Sequence, residues 1–200
     1  MVREWLPVRI IKYPHPTLRY KSKDLRRVDV ELRKMVRQMF DAMYEQKGIG
    51  LAANQVDLPY RLFILNLAAD EAAKDEEHVF INPVISQTRG MAEDREGCLS
   101  FPEIYAPVRR PEKILLQAYT LAGQEVCYEL DGLLGRAVQH ESDHLDGKLF
   151  IDRLSPVHLA AVRDDLADLE REFLTDREHG LIPADAVVVA RLAELESVRT

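Results

Sequence analysis

The run His140-Glu141-Ser142-Asp143-His144 sets the hardest constraint on how this chain folds. Two histidines four residues apart stand one above the other on one face of a helix. Leu133, Ala137, His140 and His144 form one stripe along that helix, and Leu134, Val138, Glu141 and Leu145 form the stripe beside it. The helix is therefore apolar over a wide arc that also contains its ionisable groups. Such a face must be buried, and buried polar groups need partners. A metal ion is a partner that two imidazoles can share, with the intervening carboxylate close enough to reach a water on that ion. A Lewis-acidic cation, an acidified water and a carboxylate base together suit hydrolysis. Asp131-Gly132 opens this helix and Gly147 closes it.

The rest of the chain supplies the elements around that helix. Pro7, Pro14 and Pro16 make the first segment extended or turning, with a short strand expected over Val8–Ile11. Asp29 caps a helix whose apolar face is Leu32, Met35, Val36, Met39, Phe40 and Met43, with Gly48 as its stop. Strands are expected over Arg61–Asn66, Val79–Ser86, Met91–Leu99, Ile114–Tyr119 and Glu125–Leu130, with Gly90 and Gly123 at turns. The acidic stretch Ala68–Glu77 reads as an exposed loop, and Pro107 and Pro111 break the sequence between Cys98 and Ile114. A second long helix is expected over Pro156–Phe173, with Leu159, Val162, Leu166, Leu169 and Phe173 on its apolar side. The final segment, Ile182–Thr200, carries a short helical pattern (Val187, Leu192, Leu195) that packs loosely or frays. This order predicts an α+β fold: antiparallel or mixed sheets around a central His-Glu-x-x-His helix, with a C-terminal helix.

Composition narrows the class. Two hundred residues suit one domain, perhaps with a tail, and can bury a substantial core without crosslinks. The division expected, on the family resemblance given below, is 1–155 for a metallohydrolase domain. Residues 156–200 then form a helical extension, packed on the same domain or at a subunit interface. A net charge of −7 argues against direct nucleic-acid binding, which usually needs a basic face. Two cysteines, Cys98 and Cys127, do not make a disulfide scaffold and fit a reducing cytoplasm. Met1–Ile11 reads as neither a secretory signal nor a transit peptide, and no stretch approaches the roughly 20 apolar residues of a membrane span.

A catalytic site of this type wants three protein ligands and one open position. Downstream of His144 only His158 and His179 remain as histidines. Cys98, in Glu96-Gly97-Cys98-Leu99-Ser100, is the more attractive third ligand: its thiolate binds d-block cations well, and Gly97 permits close backbone approach. Cys127, on an alternating strand, reads as a small buried hydrophobe. Glu96 is either a hydrogen-bond partner behind the ligands or a strand-end charge. Arg136 is expected to point to solvent. His15, His78, His158 and His179 are expected at the surface.

Three segments together resemble the motifs of peptide deformylases, which remove the formyl group from the first Met of new bacterial proteins. They are Gly48-Ile49-Gly50-Leu51-Ala52-Ala53-Asn54-Gln55, Glu96-Gly97-Cys98-Leu99-Ser100, and Gln139-His140-Glu141-Ser142-Asp143-His144-Leu145-Asp146-Gly147. The opening Ile10–Arg19 and the stretch Lys148–Leu154 are also similar to that family, so the likeness covers about residues 8 to 155. The family commonly has Pro where this chain has Asn54, which leaves the loop backbone less restricted.

The resemblance implies Cys98, His140 and His144 as metal ligands, with water in the fourth position. It implies Glu141 as general base and then acid, and the side-chain amide of Gln55 with the backbone N–H of Leu99 as oxyanion donors. Gly48, Ile49 and Gly50 would hold the peptide, and the substrate Met would enter an apolar pocket near Ile49, Ala137 and His140. Two imidazoles and a thiolate suit Zn(II), Fe(II), Ni(II) or Co(II); the resemblance implies Fe(II) as the usual working metal. The expected partners are N-formyl-Met peptides and nascent polypeptides, and the chain is expected to be a monomer or homodimer. Two other readings share the His pair: a zinc endopeptidase with its third ligand elsewhere, and a non-catalytic metal-stabilised binding module with a closed site.

Overall fold

The computed structural model describes residues 8–200, so Pro7 lies outside the described residues. Strands β1 (Gly50–Ala52), β2 (Leu62–Leu65), β3 (His78–Arg89), β6 (Lys113–Tyr119) and β7 (Glu125–Leu130) form one antiparallel sheet in the order β1-β2-β3-β6-β7. β4 (Ala92–Cys98) and β5 (Phe101–Arg110) form a separate antiparallel ribbon. Helices α1 (Val30–Glu45) and α2 (Gly132–Leu145) pack against the sheet, followed by α3 (Pro156–Ala161), α4 (Arg163–Glu178) and α5 (Asp185–Arg199).

The period of two along a strand explains how one sheet carries two helices. In β2, Leu62 and Ile64 join the apolar face of α1, including Leu32, Met39 and Met43. Phe63 and Leu65 point the other way and join Ala137, Val138 and Leu145 of α2. All four β2 residues are buried because both faces are covered. A third cluster joins Phe101, Ile104, Ala106 and Val108 of β5 to Leu18, Phe150, Val162 and Leu166. The motif helix thus runs between the main sheet and the ribbon.

Asp29 caps α1 as expected, its side chain accepting from the Leu32 N–H at 2.8 Å. The helix ends at Glu45, however, and the left-handed residue behind it is Lys47 (φ 53°), not Gly48. Gly48 is small for another reason: a Cβ there would meet Leu99 Cδ1 at 2.6 Å. No strand forms over Val8–Ile11; from that segment the Ile11 N–H donates to the Gln55 carbonyl at 2.8 Å. The expected break at Pro107 is also wrong, because Pro107 pairs with Arg95 inside the ribbon. A two-stranded ribbon leaves each strand one open edge, where a missing N–H costs no ladder bond.

The helix expected over Pro156–Phe173 is two helices that meet at Val162 and run on to Glu178. Val162, Leu166 and Phe173 of its predicted stripe are buried, whereas Leu159 is exposed. The final segment does not fray: α5 buries Val188, Leu192, Leu195, Glu196 and Arg199, while Val187 faces solvent. Polar anchoring explains the difference, since Arg199 pairs with Asp29 and donates to Tyr60 Oη at 2.8 Å. Among the described residues, no helix is long and apolar enough to cross a membrane.

Candidate active site

Cys98 ends β4, where the register of the ribbon shifts between Gly97 and Cys98 and turns the thiol toward α2. There one ligand atom each of Cys98, His140 and His144 lies within 4.8 Å of the others. The Cys98 Sγ stands 3.4 Å from His144 Nε2, a separation that suits two ligands each about 2.0–2.3 Å from one cation. Among the described residues the group holds these three members and no fourth His, Cys, Asp or Glu. A closed, purely structural site would need that fourth ligand. His158 and His179 take no part.

His140 is oriented from behind. Its Nδ1–H donates to Glu96 Oε2 at 2.9 Å, leaving Nε2 for the cation. Glu96 in turn accepts from Arg110 at 2.6 and 2.9 Å and from Arg136 at 2.7 Å. Arg110, 1% exposed, reaches across to Asp143 on α2 at 2.7 Å. Arg136 does not point to solvent: it also donates to the carbonyls of Val108 and Ala92, so its charge is spent on joining α2 to the ribbon. Aromatic rings pack the same wall, with Phe150 stacked 6.3 Å from the His140 ring and edge-on to Phe101 at 5.1 Å.

Electrostatics favour a positive charge at this point. Burial opposes ionisation of His140, yet hydrogen bonds with Cys98 and Glu96 outweigh it and lift the ring to about 10. A divalent cation meets the same demand as that proton. Burial, with the charges of His140 and Arg110, pushes His144 well below its ordinary value and keeps it a neutral donor. Although burial alone would raise Glu96, its bonds from His140 and Arg110 hold it well below the usual carboxylate range. Burial pushes Glu141 up to about 7 against the pull of His140 and Arg110. Among the described residues its Oε2 is buried and meets no hydrogen-bond partner, so it is open to a group arriving from the cavity.

Gln55 lies on the 3-10 turn Ala53–Val56. Its Oε1 accepts from the Ala52 N–H at 2.8 Å, which orients the amide so that Nε2 points at the site. Nε2 donates to Cys98 Sγ at 3.3 Å and to Ser100 Oγ at 3.2 Å. Gly48, Ile49, Gly50, Gln55, Cys98, Leu99, Ala137, His140 and Glu141 line one cavity of about 370 Å³. Gly50 is required there: a Cβ would meet Glu141 Oε1 at 2.6 Å.

Sequence reading missed Arg110, Ser100 and the aromatic wall. The alternation of buried Ile104, Ala106 and Val108 runs on to Arg110, so an inward-facing charge was legible once Pro107 was accepted within a strand. Other expectations need correction too. Cys127 faces solvent on β7, and His15 is buried, its Nδ1 accepting from the Thr17 N–H at 3.3 Å. His158 is partly buried; His78 and His179 are exposed as expected.

Comparison with known proteins gives the same identity throughout. The polypeptide deformylase family model matches residues 7–160. The peptide deformylase of Rhodopirellula baltica is 40% identical over 195 residues, which cover 98% of this chain and 96% of that one. A plant peptide deformylase crystal structure superposes with a TM-score of 0.83 at 38% identity, covering 92% of this chain and 99% of that one. A peptide deformylase from Plasmodium falciparum gives 0.81 at 40% identity, covering 83% and 97%. This chain belongs to the polypeptide deformylase family.

Proposed function

We propose that this chain hydrolyses the N-formyl group from the formyl-Met terminus of newly made polypeptides, releasing formate. The observation that carries the reading is the convergence of Cys98, His140 and His144 within 4.8 Å, at the wall of a cavity that Cys98, His140, Gln55 and Glu141 line. A divalent cation held by those three residues would supply Lewis-acid activation of water and of the formyl carbonyl. We assign Fe(II) as the cellular metal, with Zn(II), Ni(II) or Co(II) able to occupy the same donor set.

Glu141 takes a proton from the attacking water and returns it to the departing amine. The Gln55 Nε2–H, aimed by the Ala52 N–H, donates to the oxyanion that develops on the formyl oxygen, and the Leu99 N–H is the second donor. β1 is an edge strand of the sheet. Ala52 turns its N–H away from β2, and Gly50, two residues back, faces the same way. Gly48, Ile49 and Gly50 would therefore receive the peptide as an added strand. The Ile49 carbonyl is already committed to the Asn66 N–H at 3.0 Å, so it is not among the receiving groups. The substrate Met fits beside Ile49, Ala137 and His140, its burial contributing about 2 kcal/mol.

In this reading residues 1–155 carry the chemistry and 156–200 form an extension seated on them. The acidic side chains of α4 (Asp164, Asp165, Asp168, Glu170, Glu172) oppose contact with nucleic-acid phosphates. We place the protein in the cytoplasm, as monomer or homodimer. The test is formate release from a formyl-Met peptide by anaerobically purified protein, lost in Glu141→Ala. Internal cleavage of unformylated peptides, with metal retained in Cys98→Ser, would support a zinc endopeptidase instead.

A further inference from the structure

The turn that carries Gln55 is fastened by side chains that take no direct part in the chemistry. Asn54, the residue before it, is completely buried. Its Nδ2 donates to the Tyr20 carbonyl at 2.6 Å and to the Thr17 carbonyl at 3.4 Å. Its Oδ1 accepts from Ser22 Oγ at 2.8 Å. The three partners belong to one segment: Thr17 sits in the 3-10 turn Pro16–Arg19, and Tyr20 and Ser22 follow it directly. That same N-terminal region donates the Ile11 N–H to the Gln55 carbonyl at 2.8 Å. The far end of the turn is held as well: Asp57, left-handed at φ 63°, accepts from Thr17 Oγ1 at 2.5 Å and pairs with Arg191 of α5.

The turn itself has little of its own to keep it in place. It is four residues long, and short 3-10 segments have poorer hydrogen-bond geometry than an α-helix. An oxyanion donor is useful only when fixed in advance, because reorganisation during the reaction forfeits its stabilisation. Asn54 is too large and too polar to be mere filler at a fully buried position, and its side-chain bonds to Thr17, Tyr20 and Ser22 all reach the N-terminal strap.

We propose that Asn54 is a positioning residue for the reaction: by tying the Gln55 turn to Thr17, Tyr20 and Ser22, it holds the Gln55 amide beside Cys98 and Ser100, where it can donate to the oxyanion. The proposal rests on the reading of Gln55 as that donor. Asn54 touches neither the cavity nor the ligand cluster, so it acts only through its neighbour.

A double-mutant cycle tests this: parent, Asn54→Ala, Gln55→Ala and the pair, each metal-loaded, with kcat, KM, metal content and melting temperature measured. Asn54→Ala is expected to lower kcat about tenfold with KM within about twofold and metal content unchanged, since small misplacements of catalytic groups cost rate more than binding. In the Gln55→Ala background the same substitution is expected to have no further effect on kcat, although it still lowers the melting temperature. An equal fold loss in both backgrounds, or an unchanged kcat in Asn54→Ala, overturns the proposal. An unchanged kcat in Gln55→Ala alone overturns the oxyanion reading instead, and the clamp with it. If Asn54→Ala does not fold, Ser22→Ala, which removes the hydroxyl held by Oδ1, takes its place in the cycle with the same expected and overturning results.

Discussion

The Glu96 carboxylate lies 2.9 Å from Nδ1 of His140, so a residue of the β-ribbon sets the direction in which a ring on α2 presents its other nitrogen. Such a partner fixes both tautomer and orientation. Glu96→Ala is expected to weaken divalent-metal binding about 10- to 100-fold. Competition titration with a metal-binding dye measures this, and unchanged affinity would show that packing alone orients the ring.

Arg110 joins the β-ribbon to α2. It is fully buried between Glu96 and Asp143, at 2.6 and 2.7 Å. Removing it leaves two buried carboxylates short of a counter-charge. Arg110→Ala is expected to cost at least about 3 kcal/mol of stability. Urea unfolding followed by circular dichroism gives the value; a loss under 1 kcal/mol, small on the scale of typical substitutions, would mean that Arg136, paired with Glu96, and Arg153, paired with Asp143, suffice alone.

Gly50→Ala brings a methyl group within 2.6 Å of Glu141 Oε1 and 2.7 Å of Leu65 Cδ2. The carboxylate must move to admit it. The expected result is a fall in kcat of about 100-fold with metal content and fold intact. Steady-state kinetics with metal analysis on the same sample decides the matter, and parent-like kcat would place the working position of Glu141 elsewhere.

The face that α5 buries can be read by paired substitutions. Leu192 is 1% exposed and Val187 57% exposed. Leu192→Ala is expected to cost about 2–5 kcal/mol, the usual range for a core truncation. Val187→Ala should stay within about 0.5 kcal/mol. Equal losses from the two would argue against the packed orientation of this helix.

Stability should fall in acid partly through Asp29. Partial burial raises its carboxyl, but the Leu32 N–H, Arg27 and Arg199 outweigh that and lower it below its ordinary value. A carboxylate lowered on folding contributes stability that is fully present above its unfolded value, about 3.9, and is lost as pH falls through the lower folded value. The protein should therefore lose stability more steeply below about pH 4 than Asp29→Asn does. Melting temperatures of the two from pH 7 to pH 3 test the difference; parallel curves would remove Asp29 from the account.

Much of the fold was legible because it depends on periodicity. The apolar face of α1, its Asp29 cap, the limits of α2 and five of the strands follow from spacing and end signals. Misreadings arose where a distant partner overrules a local signal. Pro107 looked like a break because a proline cannot serve a central strand, yet its ribbon has open edges. Arg136 looked like a solvent-facing charge because the sequence does not show Glu96 waiting 2.7 Å away. The last segment looked weak because its strongest anchor, Arg199, finds Asp29 at the other end of the chain.

The sequence by itself determined that two imidazoles and a carboxylate share one buried helical face, since a repeat of 3.6 residues per turn leaves no other arrangement. It also named the thiol and the amide that resemble a known set. Only the tertiary structure decided that Cys98, 42 positions before His140, lies beside that face, that Glu96 bonds both His140 and Arg110, and that Asn54 ties the Gln55 turn to Tyr20 and Ser22. The physical reason is range: hydrogen bonds and ion pairs act over about 3 Å in space, and separation along a chain carries no information about that distance until the chain is folded.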